Sequence, residues 1–379
     1  MMPRCGEERV SMNSAARVLV FQVSDNWGGI ESFIRDAIVP LSKHGYDITL
    51  VAAPGSGRLL ERFPLPASSF VRLGSFRHPV AYLTRLRAAL TNGYDIVHFN
   101  KNSATNIVAI VLVKLMSDAK ILVHSHNTRA WHDSLLTRVL HRVNRPLVNA
   151  LADGKAACSE LAAKHLFGEG SARDCLIIRN GIDVPRFAFS GAVRARERER
   201  LGISPDELLM GNVGRYTAQK NQRFLLELIA QMKGRGRRAK LLVVGEGELG
   251  DELKAYVRSL GVSDRVMFCA GRESIPALYM AMDVFVMPSL FEGLPITCVE
   301  AQAAGLPIVA SDTISSEIDL TGRVRFLSLD AGLESWASEV RAAASGEFDR
   351  DLGARLVSQR GFSRDQSTRQ LADMYESLV

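Results

Sequence analysis

Apolar residues along the chain recur in short runs, and longer stretches with helical spacing separate most of them. In the first half the runs are Val18 to Phe21, Ile48 to Ala52, Ile96 to Phe99, Ile121 to Val123, Lys155 to Cys158 and Leu176 to Ile178, with Glu31 to Lys43 as the first helix-like stretch. A second series follows: Leu208 to Val213, Leu241 to Val244, Val266 to Cys269, Val284 to Met287, Ile308 to Ala310 and Val324 to Leu327, with helical patterns over Asn221 to Met232 and Leu249 to Leu260. Strand and helix alternating in this way predict parallel sheets covered by helices on both faces. The fold class is therefore α/β, with two tandem Rossmann-like doubly wound domains. Ligands in open sheets of this kind bind beyond the carboxyl ends of the strands, so the two domains are expected to face a central cleft.

The predicted divisions are a disordered tail over residues 1–16, a first domain over 17–185, a second over 186–362 and a final helix over 363–379, where Leu371, Met374, Tyr375 and Leu378 have helical spacing. The charged segment from Arg194 to Arg200 reads as a solvated helix face near the linker.

Composition narrows the class. Of 379 residues, 47% are apolar and 23% charged, an ordinary globular balance. No uncharged apolar run approaches the roughly 18 residues that a membrane-spanning helix needs. The first 16 residues lack the apolar stretch of a signal peptide, so a cytoplasmic location is expected. Cys5, Cys158, Cys175, Cys269 and Cys298 are scattered without metal-ligand spacing and read as thiols rather than ligands. The formal charge is +6 and unevenly placed: residues 17–185 hold 20 Lys and Arg against 13 Asp and Glu, while residues 186–379 hold 25 against 26. A basic first half implies an anionic partner, either a membrane surface, which would make the protein peripheral on the inner face of the cell membrane, or a phosphate-bearing acceptor. Two candidate amphipathic helices carry part of this charge, Val80 to Leu90 and Ser134 to Asn149. No aromatic-interleaved basic patch points to nucleic acid.

Candidate chemistry gathers where strands end. After Val213 come Gly214 and two cations, Arg215 and Lys220, suited to the charge that develops on a departing diphosphate. Gly245 and Gly247 follow the next strand, and Arg272 the one after. Then the chain reads FVMPSLFEGLPITCVEAQAAGLP, in which Glu292 and Glu300 bracket a turn and the start of a helix opened by Gly293 and Pro295. Free N–H groups there would bind phosphate, and flanking carboxylates would grip hydroxyls. In the first half Gly28 and Gly29 allow close backbone approach after the opening strand, and no G-x-G-x-x-G dinucleotide fingerprint is present. His124 and His126 close a later strand, with the register of the functional histidine open between them. Asn180 and Gly181 suit a sharp turn requiring positive φ, with Asn180 a candidate cleft-wall residue. Asp349-Arg350-Asp351, two carboxylates at a spacing that could hold a divalent metal, falls in a polar stretch and reads as solvated surface.

The spacing Glu292-x7-Glu300 resembles the E-x7-E element of retaining glycosyltransferases of family 4, which have the GT-B fold. Gly214-Arg215-x4-Lys220, Gly28-Gly29-Ile30-Glu31 and Asn180-Gly181-Ile182-Asp183 resemble further elements of that family, in the same order. Gln219-Lys220-Asn221, PSLFEGLPITCVEAQAAGLP and Ser311-Asp312-Thr313-Ile314 look particularly like its bacterial exopolysaccharide and capsule branch. The resemblance implies transfer of a hexosyl unit from a nucleotide sugar, UDP-linked, to a lipid-linked glycan, with no metal and no cofactor, and a last helix that crosses back to the first domain. It implies that Arg215 and Lys220 hold the diphosphate and that Glu292 holds the sugar. Glu300 would hold the ribose, the backbone of Leu294, Pro295 and Ile296 the phosphate, that of Arg272 the base, and His126, followed by Asn127, would stand near the donor sugar. Two rival readings use the same features, a nucleotide-sugar 2-epimerase and a non-catalytic glycan-binding protein. A scaffold would have no use for a diphosphate clamp.

Overall fold

The computed structural model describes residues 16–23, 28–53, 57–127, 134–270, 274–292 and 294–379. The expected N-terminal tail, Arg272 and Gly293 lie outside the described residues. The chain forms two compact units. Described residues up to His126, those on to Ile178, and Thr368–Val379 make the first, and Arg179–Ser367 belong to the second.

The first unit is built on seven parallel strands: β1 (Arg17–Val23), β2 (Asp47–Ala52), β3 (Phe70–Val71), β4 (Ile96–Lys101), β5 (Lys120–Ser125), β6 (Gly154–Ala157) and β7 (Leu176–Ile177), in the order β3-β2-β1-β4-β5-β6-β7. The second has six: β8 (Leu208–Val213), β9 (Ala239–Val244), β10 (Val266–Cys269), β11 (Val284–Met287), β12 (Ile308–Ser311) and β13 (Val324–Leu327), in the order β10-β9-β8-β11-β12-β13. Each sheet reverses its winding beside its first strand, at β1/β4 and at β8/β11. Such a switch point opens a crevice beyond the strand ends. The central strands are apolar on both faces because helices cover both: Leu19, Val97 and Val123 pack to one side of the first sheet, Val18, Val20, Ile96 and Leu122 to the other.

The helix expected over Glu31 to Lys43 is present as three joined pieces, an α-turn Gly29–Phe33, a π-turn Ile34–Ile38 and a 3₁₀ stretch Val39–His44. Pro40 has no N–H to give to a carbonyl four residues back, and the winding widens just before it. At the other end of the chain the helix Arg364–Glu376 places Leu371 and Tyr375, both fully buried, in the core of the first unit beside Val20, Ile34 and Leu122. Among the described residues no helix is long and apolar enough to cross a membrane.

Three expectations are corrected. The segment 194–200 is helical (Gly191–Arg200), but Glu197 and Arg198 are buried and two of its arginines turn inward. Arg198 is buried and donates to the carbonyls of Ala281 (3.1 Å), Ser204 (2.9 Å) and Glu207 (2.8 Å) and to Asp283 (3.0 Å), while Arg194 reaches the carbonyls of Met280, Ala281 and Met282 and pairs with Asp283. These guanidinium groups cap the orphan carbonyls at the end of the helix Ile275–Ala281, where a cation is favoured. Arg350, expected at the surface, donates to the carbonyls of Ala304 (2.8 Å) and Met282 (3.1 Å) and stacks 4.1 Å from the Phe189 ring centre. Burial, then the neighbouring Arg194, lowers its pKa to about 9. Only the flanking Asp349 and Asp351 are exposed.

The third correction concerns Gly181, which does not have positive φ, and neither does Asn180. Glycine is needed there for space: a Cβ would stand 2.5 Å from both the Ser363 carbonyl oxygen and Ser367 Oγ. The two segments are laced by Ile182 N–H to Phe362 O (2.9 Å), Arg364 N–H to Ile182 O (2.8 Å) and Ser367 Oγ to Arg179 O (2.7 Å). Because backbone cannot yield as a side chain can, Gly181→Ala is expected to cost about 1–3 kcal/mol, as overpacking does. A urea midpoint equal to that of the parent would show the approach to be looser.

Candidate functional site

The second unit assembles its candidate residues at the β8/β11 switch point. After β8 the chain passes Gly214, Arg215 and Tyr216. After β9 it passes Gly245 and Gly247. These loops meet backbone to backbone: a Cβ on Gly245 (φ +142°) would be 2.1 Å from the Gly214 oxygen, and one on Gly247 would be 2.5 Å from the Tyr216 oxygen. Gly214 N–H donates to Val244 O and Tyr216 N–H to Glu246 O. Tyr216 is buried under the crossing and donates to Val243 O at 3.1 Å. Arg215 is exposed, and Gln222 Nε2 holds its carbonyl at 2.9 Å.

The following turn, Ala218–Lys220, is tied to the loop after β11. Gln219 Nε2 donates to Phe291 O (2.9 Å), Leu290 N–H to Gln219 O (2.9 Å) and Asn221 Nδ2 to Pro288 O (3.1 Å). Asn221 takes the left-handed conformation (φ 52°), which an Asn tolerates better than most residues. On the far side Thr313 Oγ1 donates to Ser289 O at 3.0 Å, and Glu292 bridges to Ile314. These ties bring Lys220 Nζ to 2.7 Å from Glu292 Oε1, with 18% and 11% of the two side chains exposed. An ammonium has three donors, so the pair leaves Lys220 able to bind a second oxyanion.

Beyond that loop Pro295 starts the helix Ile296–Ala303 and offers no side-chain cap to its first N–H groups. Glu300 lies on the same helix, and the hydroxyl of fully buried Tyr279 stands 2.9 Å from its Oε2. Burial, followed by the Glu300 charge, raises the Tyr279 pKa well above its usual value, so it remains a donor.

In the first unit the β1/β4 switch point carries a set of histidines. His98 and His124 are fully buried, and His126 is partly exposed at the end of β5. His98 stacks on His124 (5.5 Å between ring centres) and His124 on His126 (4.1 Å), with Phe33 edge-on to His124. His126 Nε2 is 2.8 Å from Asn100 Oδ1, and the amide of Asn100 donates to Phe21 O. With its amide so engaged, Asn100 presents oxygen to the ring, so Nε2 is the donor of this pair. At the inner end His98 Nδ1 is 2.7 Å from the Tyr375 hydroxyl. Gly28 begins the helix after β1 and donates to Glu31 Oε2 at 2.9 Å, while a side chain on Gly29 would meet nothing within 4 Å.

Residues 27–186 match the model described as Glycosyltransferase Family 4, and residues 193–320 match Glycosyl transferases group 1. A putative glycosyltransferase of Bacillus subtilis, EpsF, is 36% identical over 309 residues, covering 79% of each chain. This protein is a family 4 glycosyltransferase. An Escherichia coli relative, the UDP-Gal:alpha-D-GlcNAc-diphosphoundecaprenol alpha-1,3-galactosyltransferase, is 28% identical over 58% of each chain. The Anabaena protein Alr3699/HepE, solved with UDP, shares the fold with a TM-score of 0.76 at 20% identity, covering 96% of this chain and all of its own. That likeness establishes the GT-B fold.

Within the glycosyltransferase the structure brings Lys220 and Glu292 into contact and places Arg215, Gly245, Leu294 and Glu300 on loops and a helix at the same sheet edge. His124 is sealed in the core, so of the two histidines it is His126 that reaches a surface. Sequence reasoning missed Tyr279 and Asn100, which hold Glu300 and His126. Tyr279 sits in a helix buried from Pro276 to Ala281, where nothing in the pattern sets it apart from its neighbours. Asn100, a polar residue ending an apolar strand, was a readable signal.

Burial drives the His98 pKa down to about 3 and that of His124 well below its usual value. Unfolding frees both to titrate near pH 6.5, so the unfolded chain takes up protons that the folded one refuses. Stability is then complete above about pH 6.5 and falls as the pH drops through that window; His98 alone loses about 2 kcal/mol by pH 5. Denaturant midpoints from pH 7.5 to 5 measure this, and a flat profile would contradict a neutral buried pair.

Proposed function

We propose that the enzyme transfers a hexosyl unit from a UDP-sugar to a lipid-linked glycan in exopolysaccharide synthesis, with retention of configuration and without a metal. The observation that carries this reading is the Lys220–Glu292 contact at the switch point of the second sheet, beside the glycine crossing and the open start of the helix Ile296–Ala303. A cation and a carboxylate held together suit two adjoining parts of one donor, a diphosphate and the sugar attached to it. The E. coli relative is named for a UDP-galactose donor and a diphosphoundecaprenol-linked acceptor, and the Anabaena neighbour was solved with UDP-glucose as well as UDP. Both support the choice of donor, and the first supports the choice of acceptor.

In this reading Arg215 and Lys220 neutralise the diphosphate as its bond to the sugar breaks, and the backbone N–H groups of Leu294 and Ile296 add hydrogen bonds that Pro295, which lacks an N–H, cannot. Fixed charges of this kind act on the developing oxyanion and need no reorganisation. Glu292 holds sugar hydroxyls and Glu300, oriented by Tyr279, the ribose. Gly245 lets backbone approach the ligand. The C1–O bond to the diphosphate breaks, the acceptor oxygen bonds to C1 on the same face, and its proton passes to the departing phosphate oxygen.

Glu292→Gln is expected to lower turnover far more than affinity for UDP, because the carboxylate is assigned to the sugar. Equal losses in turnover and UDP affinity would refute that role. Lys220→Ala and Arg215→Ala should each lose roughly 10²-fold or more in turnover, and near-normal rates in both would remove the clamp. A melting-temperature panel of UDP, GDP and their sugars tests the base, since a ligand at 100 times its dissociation constant stabilises by about 2.7 kcal/mol. A larger response to the guanosine series would overturn the choice of UDP. Activity should survive EDTA, and mass spectrometry without acceptor should show no epimerised donor.

A further inference from the structure

The helix Leu135–Leu151 is seated on the first unit by its polar side. His141 Nδ1 accepts from Ala104 N–H (3.1 Å), Asn144 donates to the Ala104 and Thr105 carbonyls (2.9 and 3.2 Å), and Asn149 donates to the Phe167 carbonyl (2.9 Å). Of its apolar side chains only Val148 is fully buried. Leu136, Val139, Leu140, Val143 and Leu147, at three- and four-residue spacing, are 37% to 67% exposed, and Leu135 is 78% exposed. A surface helix ordinarily turns such a stripe to the core and its polar side to water. Here the arrangement is reversed over about 18 Å of helix. The helices Val108–Met116 and Glu160–Ser171 pack beside it and add exposed Val108, Leu115 and Leu161.

The same helix carries Arg138, Arg142 and Arg145 and not one Asp or Glu. Arg138 and Arg142 are exposed, and on a helical wheel they fall along one border of the stripe.

We propose that this helix docks the first unit on a bilayer that contains anionic lipid, with its leucines and valines inserted at the acyl-chain boundary and its bordering arginines among the headgroups. An apolar stripe edged by cations on a helix lying in the interface plane is the chemistry such a surface takes up. A second copy of the chain fits less well. A twofold contact sets the same patch against itself, so arginines would meet arginines with no acidic residue on the helix to relieve them. The basic excess of this half thus acts at the rim of an apolar contact instead of making the contact. The inference stands on the helix alone and does not depend on which sugar or acceptor the enzyme uses.

The test is sedimentation of the full chain with phosphatidylcholine vesicles, with and without phosphatidylglycerol, at low and high salt. Binding is expected on the anionic vesicles. The variant Leu136→Gln/Leu140→Gln/Val143→Gln should lower the partition coefficient roughly tenfold or more at both salt levels, the order expected from withdrawing three apolar side chains from lipid. Arg142→Gln should weaken binding at low salt only. The replaced side chains are exposed, so the melting temperature should match the parent, and Leu140→Gln alone should weaken binding severalfold if the triple variant is poorly behaved. Three results would each overturn the proposal: a parent protein that stays in the supernatant with both vesicle types, unchanged binding in the glutamine variants, or a parent dimer in sedimentation equilibrium that becomes monomeric in them.

Discussion

The candidate site of the second unit depends on a crossing in which one backbone occupies the room another residue's side chain would need. The Gly214 oxygen stands where a Cβ on residue 245 would be, and the Tyr216 backbone where one on residue 247 would be. Tyr216 locks beneath this crossing, Gln222 secures the carbonyl of Arg215, and the turn that follows carries Lys220 across to the loop after β11. Any side chain at residue 245 or 247 would separate the loops and with them Lys220 from Glu292. The chemistry of the site is ionic, but its geometry is set by steric exclusion.

Much of this architecture was legible in the chain because its strands are short, apolar and bounded by glycine or proline. β8, β10, β11 and β13 coincide with the runs read from hydrophobicity, and most of the other central strands differ by a residue or two at an end. Two-residue β3 escaped because Phe70 and Val71 are too few to show a period. The candidate cations and carboxylates were legible for a different reason: they punctuate strand ends, where a sheet exposes its ligands. What that reading could not supply was the distance between them. Lys220 and Glu292 are 72 positions apart, and the hydrogen bonds of Gln219, Leu290 and Asn221 help to close the gap.

The failures share one cause. A hydrophobic pattern reports periodicity but not which side of an element meets the rest of the protein. The arginines of 194–200 read as solvated, yet two of them fill carbonyl sites at the end of a neighbouring helix. The helix after Ser134 has the same kind of amphipathic signature as a core-facing helix, yet His141, Asn144 and Asn149 find backbone partners inward and turn its leucines out. Gly181 illustrates the same limit for turns: its motif suggested a φ requirement, while the real constraint is a carbonyl from a residue 182 positions later in the chain, Ser363.

That long reach matters to how the protein is made. The first unit keeps Leu371 and Tyr375 within its core, so the hydroxyl beside His98 comes from residues synthesised long after the strands they cover. When a ribosome has completed β7, about 190 residues remain before Thr368, roughly 10–40 s of elongation at typical rates. Through that interval the face of the first sheet carrying Val18, Val20, Ile96 and Leu122 lacks its closing helix, while the whole second unit emerges and can fold. The order of completion is therefore inverted relative to the order of translation: the unit begun first is finished after the second, and a nascent chain cut short before Leu371 and Tyr375 displays an unsealed apolar face to the cell's quality-control machinery.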